Sequence, residues 1–336
     1  MKIKKGKLGS YRALLAILVA GALALSGVKY GISQSSRADD VLTIDPLLLA
    51  TRSVLTAVDR AGGRLVAVGE GGIVLLSDDN GQSWRLTESG VNHTLTAVRF
   101  KDERQGIAVG HQGVVLRTTN GGETWQRASP GQGVEEMQYL PPYLEAWWSE
   151  SGDAVVLGAF GEAWRSQDGG LSWTSLRERL LNDEEHHLYG MAELDGSIYF
   201  AGEFGTLLAT RAAYVDGQVI DTPYPGTFFG VLATDDHRLL LYGLRGTALV
   251  SGDRGLTWSA CQVPTDASLT VGLSTASGDL LLATAKGEIL RAPRGSCEFS
   301  RVDAGYEGAI SGLVQVGAQS VVAVGMRGVS TLLSWR

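Results

Sequence analysis

Short hydrophobic runs separated by turn residues fill the sequence from about residue 54 to its C-terminal end. In residues 95–128 the runs read LTAVRF, QGIAVG, VVLRTTNGG and TWQRA. Runs that are rich in β-branched residues, or that alternate apolar and polar positions, predict β-strands when turn residues bound them. The pattern therefore predicts a meander of four short antiparallel strands.

A Gly-x-x-Gly signal shows that this meander is repeated. It occurs as GEGG (Gly69), GHQG (Gly110), GAFG (Gly158), GEFG (Gly202), GLRG (Gly243) and GMRG (Gly325), with TAKG (Thr284) in the remaining place. The starts lie 41, 48, 44, 41, 41 and 41 residues apart, which defines seven units. Four-stranded units with this period are typical of a β-propeller, so the sequence predicts an all-β fold of seven four-stranded antiparallel blades.

A second repeated motif ends in tryptophan: SDDNGQSW, TTNGGETW, SQDGGLSW and SGDRGLTW. The tryptophan follows the first glycine of the turn signal by 15 residues each time, which places the motif between the third and fourth strands. We expect its Asp or Asn side chain to accept backbone N–H hydrogen bonds, its glycine to take positive φ and its tryptophan to pack between sheets. Four copies favour a structural role over a catalytic one. The residues assigned to this role are Ser77, Asp79, Gly81, Trp84, Asn120, Gly122, Trp125, Asp168, Gly170, Trp173, Asp253, Gly255 and Trp258.

The tryptophan motif resembles the Asp-box (BNR repeat) of sialidases, sortilins and other propellers. Together with the steps VGEGG and VGHQG, residues 54–336 resemble more specifically the Ycf48/HCF136 family of seven-bladed photosystem II assembly factors and their bacterial relatives. The resemblance implies a non-enzymatic scaffold without a cofactor that helps a membrane protein complex to assemble, either photosystem II or an analogous bacterial complex such as a transporter. Cyanobacterial members usually carry a lipid-anchor cysteine near the N-terminus, and this sequence has none there.

The ring needs a closing segment, because unit seven ends before its fourth strand. We expect the segment Val41–Ala50 to form a strand that completes the last blade and removes an exposed edge.

The loops of one propeller face are the candidate binding surface, since loops need no aromatic or arginine residues for packing. The glycine turns and the inter-unit loops emerge together on this face. Solvated turn residues are the alternative, because exposed charges are common. The residues predicted to bind a partner are His111, Phe160, Phe204, Arg245, Lys286 and Arg327 from the turns, and Tyr143 and Phe228 from the loops.

The N-terminal residues have the pattern of a secretory signal: a basic start is followed by the apolar run Ala13–Val28. We expect residues 1–38 to be a signal peptide or an uncleaved membrane anchor, and residues 39–336 to be the propeller. The protein would then be exported to a periplasm or a thylakoid lumen and touch the membrane only through an uncleaved leader. Removing the seven positive charges of residues 1–38 would change the net charge from −7 to −14, which argues against nucleic-acid binding.

The remaining chemistry-bearing residues leave two points open. Cys261 and Cys297 could form a disulfide or remain two buried thiols. A glycan-binding or sialidase-like hydrolase is the alternative function; it predicts two carboxylates facing each other at the channel mouth, whereas a scaffold predicts exposed aromatic and arginine residues. The segment NDEEHH (residues 182–187) lacks a usual zinc spacing, so we expect no metal site.

Overall fold

Seven four-stranded antiparallel sheets follow one another along the chain in the computed structural model and confirm the predicted seven-bladed propeller. The structure describes residues 45–128, 130, 140–211, 214–302, 305–330 and 333–334. The predicted leader, residues 1–38, lies outside them.

The strands have the following bounds. Blade 1 comprises β1 (Leu55–Ala61), β2 (Arg64–Gly69), β3 (Val74–Ser77) and β4 (Arg85–Thr87). Blade 2 comprises β5 (Leu95–Phe100), β6 (Gly106–Gly110), β7 (Val114–Thr118) and β8 (Gln126–Arg127). Blade 3 comprises β9 (Tyr143–Trp148), β10 (Ala154–Gly158), β11 (Ala163–Ser166) and β12 (Thr174–Ser175). Blade 4 comprises β13 (Leu188–Leu194), β14 (Ser197–Gly202), β15 (Leu207–Arg211) and β16 (Gln218–Val219).

The last three blades repeat this order. Blade 5 comprises β17 (Phe228–Ala233), β18 (Leu239–Gly243), β19 (Ala248–Ser251) and β20 (Ser259–Ala260). Blade 6 comprises β21 (Leu269–Ser274), β22 (Leu280–Thr284), β23 (Ile289–Ala292) and β24 (Ser300–Val302). Blade 7 comprises β25 (Ile310–Gly317), β26 (Ser320–Gly325), β27 (Gly328–Val329) and β28 (Leu333–Ser334), and β27 and β28 both pair with β26.

The core lies between neighbouring blades. The second strand of each blade is almost wholly buried, as in β6, because an adjacent blade covers each of its faces. This double burial explains why the second strands read as continuous apolar runs, whereas the first strands alternate.

Most of the glycine turns fit closely against the neighbouring backbone, so that a side chain on a glycine would collide with it. At Gly110 a Cβ would collide with the Thr94 carbonyl oxygen, which accepts a hydrogen bond from the His111 N–H at 2.9 Å. At Gly246, where φ is +69°, a Cβ would collide with the carbonyl oxygen of Thr265 in the loop that leads to the next blade. Each such turn therefore locks its own first strand to the following inter-blade loop.

The prediction of a closing strand over Val41–Ala50 is wrong for Pro46–Ala50. These residues belong to helix α1 (Pro46–Arg52), and residues 41–44 lie outside the described part. The helix begins because the Asp45 side chain accepts the Leu47 N–H at 2.9 Å and Pro46 occupies the first helical position, followed by helix-forming leucines and alanine.

A hydrogen bond between the first and last inner strands joins blade 7 to blade 1 and closes the ring. The Ser311 hydroxyl of β25 donates to the Leu55 carbonyl oxygen of β1 at 2.6 Å. The C-terminal end of α1 also packs against the last glycine turn, where a Cβ at Gly328 would collide with the Thr51 carbonyl oxygen. Helix α1 thus takes the place that inter-blade loops take elsewhere.

A disulfide joins Cys261, just after β20, to Cys297, just before β24, with the two Cα atoms 4.9 Å apart. The disulfide alternative is therefore the one that the structure adopts. Blade 6 lacks an Asp-box, and Phe299 is buried where a tryptophan would stand. The bridge ties the outer edges of blades 5 and 6 at that point.

Candidate functional site

The Asp-box turns occupy one end of the propeller, and their carboxylates are engaged locally. The Ser77 hydroxyl donates to the Asp79 carboxylate at 2.8 Å, and the Ser83 N–H donates to it at 2.9 Å. Hydrogen bonds from the Ser83 hydroxyl and N–H, and then from Ser77, lower the pKa of Asp79 to about 2. Asp168 and Asp253 have the same arrangement and pKa values of about 2. These carboxylates are already saturated with donors, which is unsuited to acid–base chemistry near neutral pH.

The Asp-box tryptophans connect neighbouring blades. Trp173 of blade 3 donates its indole N–H to the Ala128 carbonyl oxygen of blade 2 at 2.6 Å. Trp125 of blade 2 packs against the apolar cluster that blades 1 and 2 form together, and edge-on against Phe100 of its own blade, with ring centroids 6.2 Å apart.

At the opposite end, four glycine turns hold a non-glycine residue in the left-handed region. Gln112, Phe160, Phe204 and Arg245 have φ of 56°, 58°, 52° and 55°, at the place where blade 1 has Gly71. This conformation costs a non-glycine residue about 1–2 kcal/mol. Phe160 is nevertheless 45% exposed and Phe204 69% exposed, so full burial does not offset that strain for either ring. We call Phe160, Phe204 and Arg245 the strained tips.

Two residues predicted for this surface are buried, so their placement there is wrong. Tyr143 is 6% exposed and Phe228 is fully buried. Both occupy the first position of an inner strand, which is fully buried in the other five blades, as at Leu55 and Leu95. The sequence interpretation placed the ends of the long loops too late and read core residues as loop residues.

The predicted basic residues differ in their availability. Lys286 forms an ion pair with Asp266 at 2.7 Å, which raises the pKa of Lys286. Arg245 and Arg327 are exposed, and neither forms an ion pair within the described residues. His111 is exposed on its turn as well. The basic residues predicted to bind a partner therefore provide two guanidinium groups without an ion pair in the described part of the chain, those of Arg245 and Arg327, and one ammonium group paired with Asp266.

A row of four rings leads from this face to the central channel. We call Phe160, His187, Tyr189 and Phe229 the aromatic row; its successive ring centroids lie 5.0, 6.3 and 5.6 Å apart. Glu203 fixes the middle of the row, since its carboxylate accepts the His187 N–H at 3.1 Å and the Tyr189 hydroxyl at 3.3 Å. Burial, and then Glu203, raise the pKa of Tyr189 to about 12.

The channel encloses a cavity of about 430 Å³ that contains three ionisable side chains from blades 1, 2 and 3. We call Asp59, Arg99 and Glu145 the channel cluster. Arg99 pairs with Glu145 at 3.0 Å, and the Asp59 carboxylate accepts the N–H of Phe100 at 2.6 Å. Burial raises the pKa values of Asp59 and Glu145, although Arg99 acts in the opposite direction on both.

Sequence reasoning missed the channel cluster because it searched the loops. A signal was present in the repeats. The third position of the inner strand carries Glu145 in blade 3, and a small or aliphatic residue in the other six blades: Ala57, Ala97, Gly190, Gly230, Val271 and Gly312. Superposing the seven units would have exposed this glutamate.

Within the described residues, no group of three His, Cys, Asp or Glu side chains is placed to hold a metal ion. His186 and His187 make separate contacts, His186 with the Thr206 hydroxyl at 2.7 Å and His187 with Glu203. In the same part of the chain, no helix is long and apolar enough to cross a membrane.

Comparisons by sequence find nothing similar: no family model matches the chain, and no curated protein does. Comparison of structures finds many propellers. Ycf48 bound to a D1 peptide has a TM-score of 0.66 at 15% identity, with 85% of this chain and 94% of that chain covered. Ycf48 from Cyanidioschyzon merolae has a TM-score of 0.65 at 16% identity, covering 86% and 97%. Virginiamycin B lyase from Staphylococcus aureus has a TM-score of 0.73 at 10% identity, covering 86% and 97%. At such identities the likeness shows the fold alone, and this fold serves both a peptide-bound protein and an enzyme.

Proposed function

We propose that the protein is a non-enzymatic, exported scaffold that docks a segment of a membrane protein complex on its glycine-turn face. The proposal includes the periplasm, or the lumen of a photosynthetic membrane, as its location, and the partner as an assembling complex or a transporter.

The observation that carries the proposal is the conformation of Phe160 and Phe204. A glycine would adopt the left-handed tip without strain, as Gly71 does in blade 1. Each ring contacts one histidine ring, Phe160 that of His187 and Phe204 that of His186, and otherwise stays exposed. Residues held in strained conformations cluster at sites of binding. Exposed aromatic and arginine side chains are the residues that dominate binding energy at protein interfaces.

A solved structure of Ycf48 with a bound D1 peptide lends support. It is a precedent for a seven-bladed propeller of this shape that holds a peptide of another protein. The identity of 15% gives no residue-by-residue correspondence, so the partner of this chain has to be found by experiment.

The test is co-purification from the native host. We would express the full chain with a C-terminal affinity tag, crosslink the cells and identify membrane proteins that co-purify. Phe160→Asn with Phe204→Asn removes both rings while keeping a residue that tolerates positive φ. Leu171→Asn with Leu256→Asn is the matched control, because these exposed leucines lie in Asp-box turns at the opposite end.

We expect one membrane protein to be recovered with the wild-type and control chains and to be lost with the phenylalanine variant. A triple variant, Arg245→Ala, Lys286→Ala and Arg327→Ala, should weaken its recovery as well. Equal recovery with all four chains would contradict docking on this face.

A glycan-processing enzyme is the second candidate, and one observation favours it: Asp59 and Glu145 both face the channel. Glycosidases use two carboxyl groups, one of which has a raised pKa. Against this, Arg99 already pairs with Glu145. Hydrolysis of a fluorogenic glycoside by the wild-type chain that is abolished in Glu145→Gln would favour the enzyme; no hydrolysis across a panel would favour the scaffold.

A further inference from the structure

Three blades lack a hydrogen bond that joins the inner strands of neighbouring blades elsewhere around the channel. At the second position of the inner strand, Thr56, Thr96, Thr270 and Ser311 each donate a hydroxyl hydrogen bond of 2.5–2.7 Å to a carbonyl oxygen of the next blade. Blades 3, 4 and 5 have Leu144, Tyr189 and Phe229 at this position. These three blades give up the hydrogen bond between blades and form an apolar wall at the channel mouth.

The charges deeper in the channel are likewise not what stability alone would select. Buried ions lose several kcal/mol of hydration each, and apolar residues in their place are often equally stable or more stable. With both carboxylates ionised, the channel cluster has a net charge of −1. Within the described residues, no Lys or Arg nitrogen lies within 4.0 Å of the Asp59 carboxylate. Arg99 and Arg60 lower the pKa of Asp59 without pairing with it, so a cation bound beside Asp59 would favour the ionised form that burial disfavours.

Tyr242 adds a donor to the same space. Its ring reaches the channel over two glycines of the inner strands, because a Cβ at Gly230 or Gly272 would collide with it. Its side chain is more than nine-tenths buried and lines the cavity. Burial raises the pKa of Tyr242 to about 12, so its hydroxyl keeps a proton that can be donated to a ligand in the cavity.

We propose that the channel binds a primary amine that carries an aromatic side chain and an adjacent carbonyl group, such as the amide of an aromatic amino acid or the amino terminus of a peptide that begins with one. The ammonium lies against Asp59 and Glu145, the aromatic group lies against Tyr189 and Phe229, and the carbonyl oxygen accepts from Tyr242. Aromatic walls favour cations and rings alike, and a cavity of about 430 Å³ is within the range of small-ligand sites. This site goes beyond the proposed docking function and does not depend on it.

The test uses the purified full chain without any partner. L-phenylalaninamide is titrated calorimetrically at about pH 6, where an α-amino group is protonated. N-acetyl-L-phenylalaninamide is the control ligand, since it has the same ring and carbonyl group but no charge. A pentapeptide amide that begins with phenylalanine distinguishes a peptide terminus from a free amine as the source, by binding more tightly or not at all.

We expect saturable binding of L-phenylalaninamide and none of its acetylated form. Glu145→Gln should weaken binding at least about tenfold, the effect of losing one hydrogen bond to a charged group. Glu88→Gln, the same change at an exposed residue of blade 1, should leave binding unchanged.

If Glu145→Gln fails to fold, Tyr189→Leu decides, because blade 3 accommodates Leu144 at the same position. This variant should weaken binding several-fold. The proposal is overturned if L-phenylalaninamide does not bind, if its acetylated form binds equally well, or if both channel variants bind like the wild type.

Discussion

The two ends of the propeller differ in how their turn side chains are engaged. At the Asp-box end, each carboxylate is satisfied within its own turn, as Asp79 is by Ser77 and Ser83. At the glycine-turn end, Phe204 and Arg245 are held at positive φ and reach into solvent. The Asp-box end also exposes a hydrophobic residue, Leu256, in a turn whose positive-φ residue, Arg254, pairs with Asp195 at 3.3 Å. The comparison supports a stabilising role for the Asp-box end and the proposed docking role for the glycine-turn end.

The largest effect should come from the glycine turns. Gly246→Ala forces a left-handed alanine whose Cβ collides with the Thr265 carbonyl oxygen, whereas Gly71→Ala has almost the same φ and no atom within 4 Å. We expect the free energy of unfolding to fall by about 3 kcal/mol or more for Gly246→Ala, and by about 1–2 kcal/mol for Gly71→Ala. Urea unfolding measures both. Equal losses would mean that the turn does not lock against the next loop.

A smaller effect should follow loss of one Asp-box carboxylate. Asp168→Ala removes the acceptor of the Ser172 N–H and hydroxyl hydrogen bonds, and should lower the free energy of unfolding by about 1 kcal/mol, as for a helix cap. Asp168→Asn should cost less, because blade 2 makes the same turn with Asn120. An alanine variant as stable as the wild type would show that the box is not a stabilising turn.

The dependence of stability on pH should also distinguish the Asp-box turns from the channel cluster. The pKa values of Asp79, Asp168 and Asp253 are lowered to about 2, so their contribution is present above about pH 4 and is lost as the pH falls towards 2. The raised pKa values of Asp59 and Glu145 act in the opposite sense, since their contribution is lost as the pH rises. Replacing the three Asp-box aspartates by Asn should flatten the acid limb of the urea-derived stability profile. An unchanged acid limb would contradict the assignment.

The smallest effect on stability is expected at a strained tip. Phe204→Gly relieves the left-handed strain and loses little burial, but it adds the conformational entropy of a glycine to the unfolded chain. These effects largely cancel, so we expect a change of no more than about 1 kcal/mol in the free energy of unfolding. Thermal unfolding checks this value. A large loss would mean that Phe204 is a packing residue rather than a contact residue.

The fold could be predicted from sequence because the same strand and turn pattern occurs in seven repeats. Features that occur only once could not be predicted in this way. Helix α1 was mistaken for a strand, because the need for a strand to close the ring was given more weight than Asp45 and Pro46, which indicate the start of a helix. Tyr143 and Phe228 were mistaken for loop residues because aromatic residues suit both a core and a binding surface. The channel cluster comes from three blades, and only the ring places Asp59, Arg99 and Glu145 together.

Site-specific photocrosslinking tests the central difference between the two ends most directly. A benzophenone amino acid is placed at Phe204 in one chain and at Leu256 in another, because both side chains are large, apolar and exposed, at 69% and 85%. Both chains are irradiated in the native host. We predict that position 204 crosslinks to one specific membrane protein and that position 256 does not. Equal labelling from both positions, or a specific product from position 256 alone, would contradict the account.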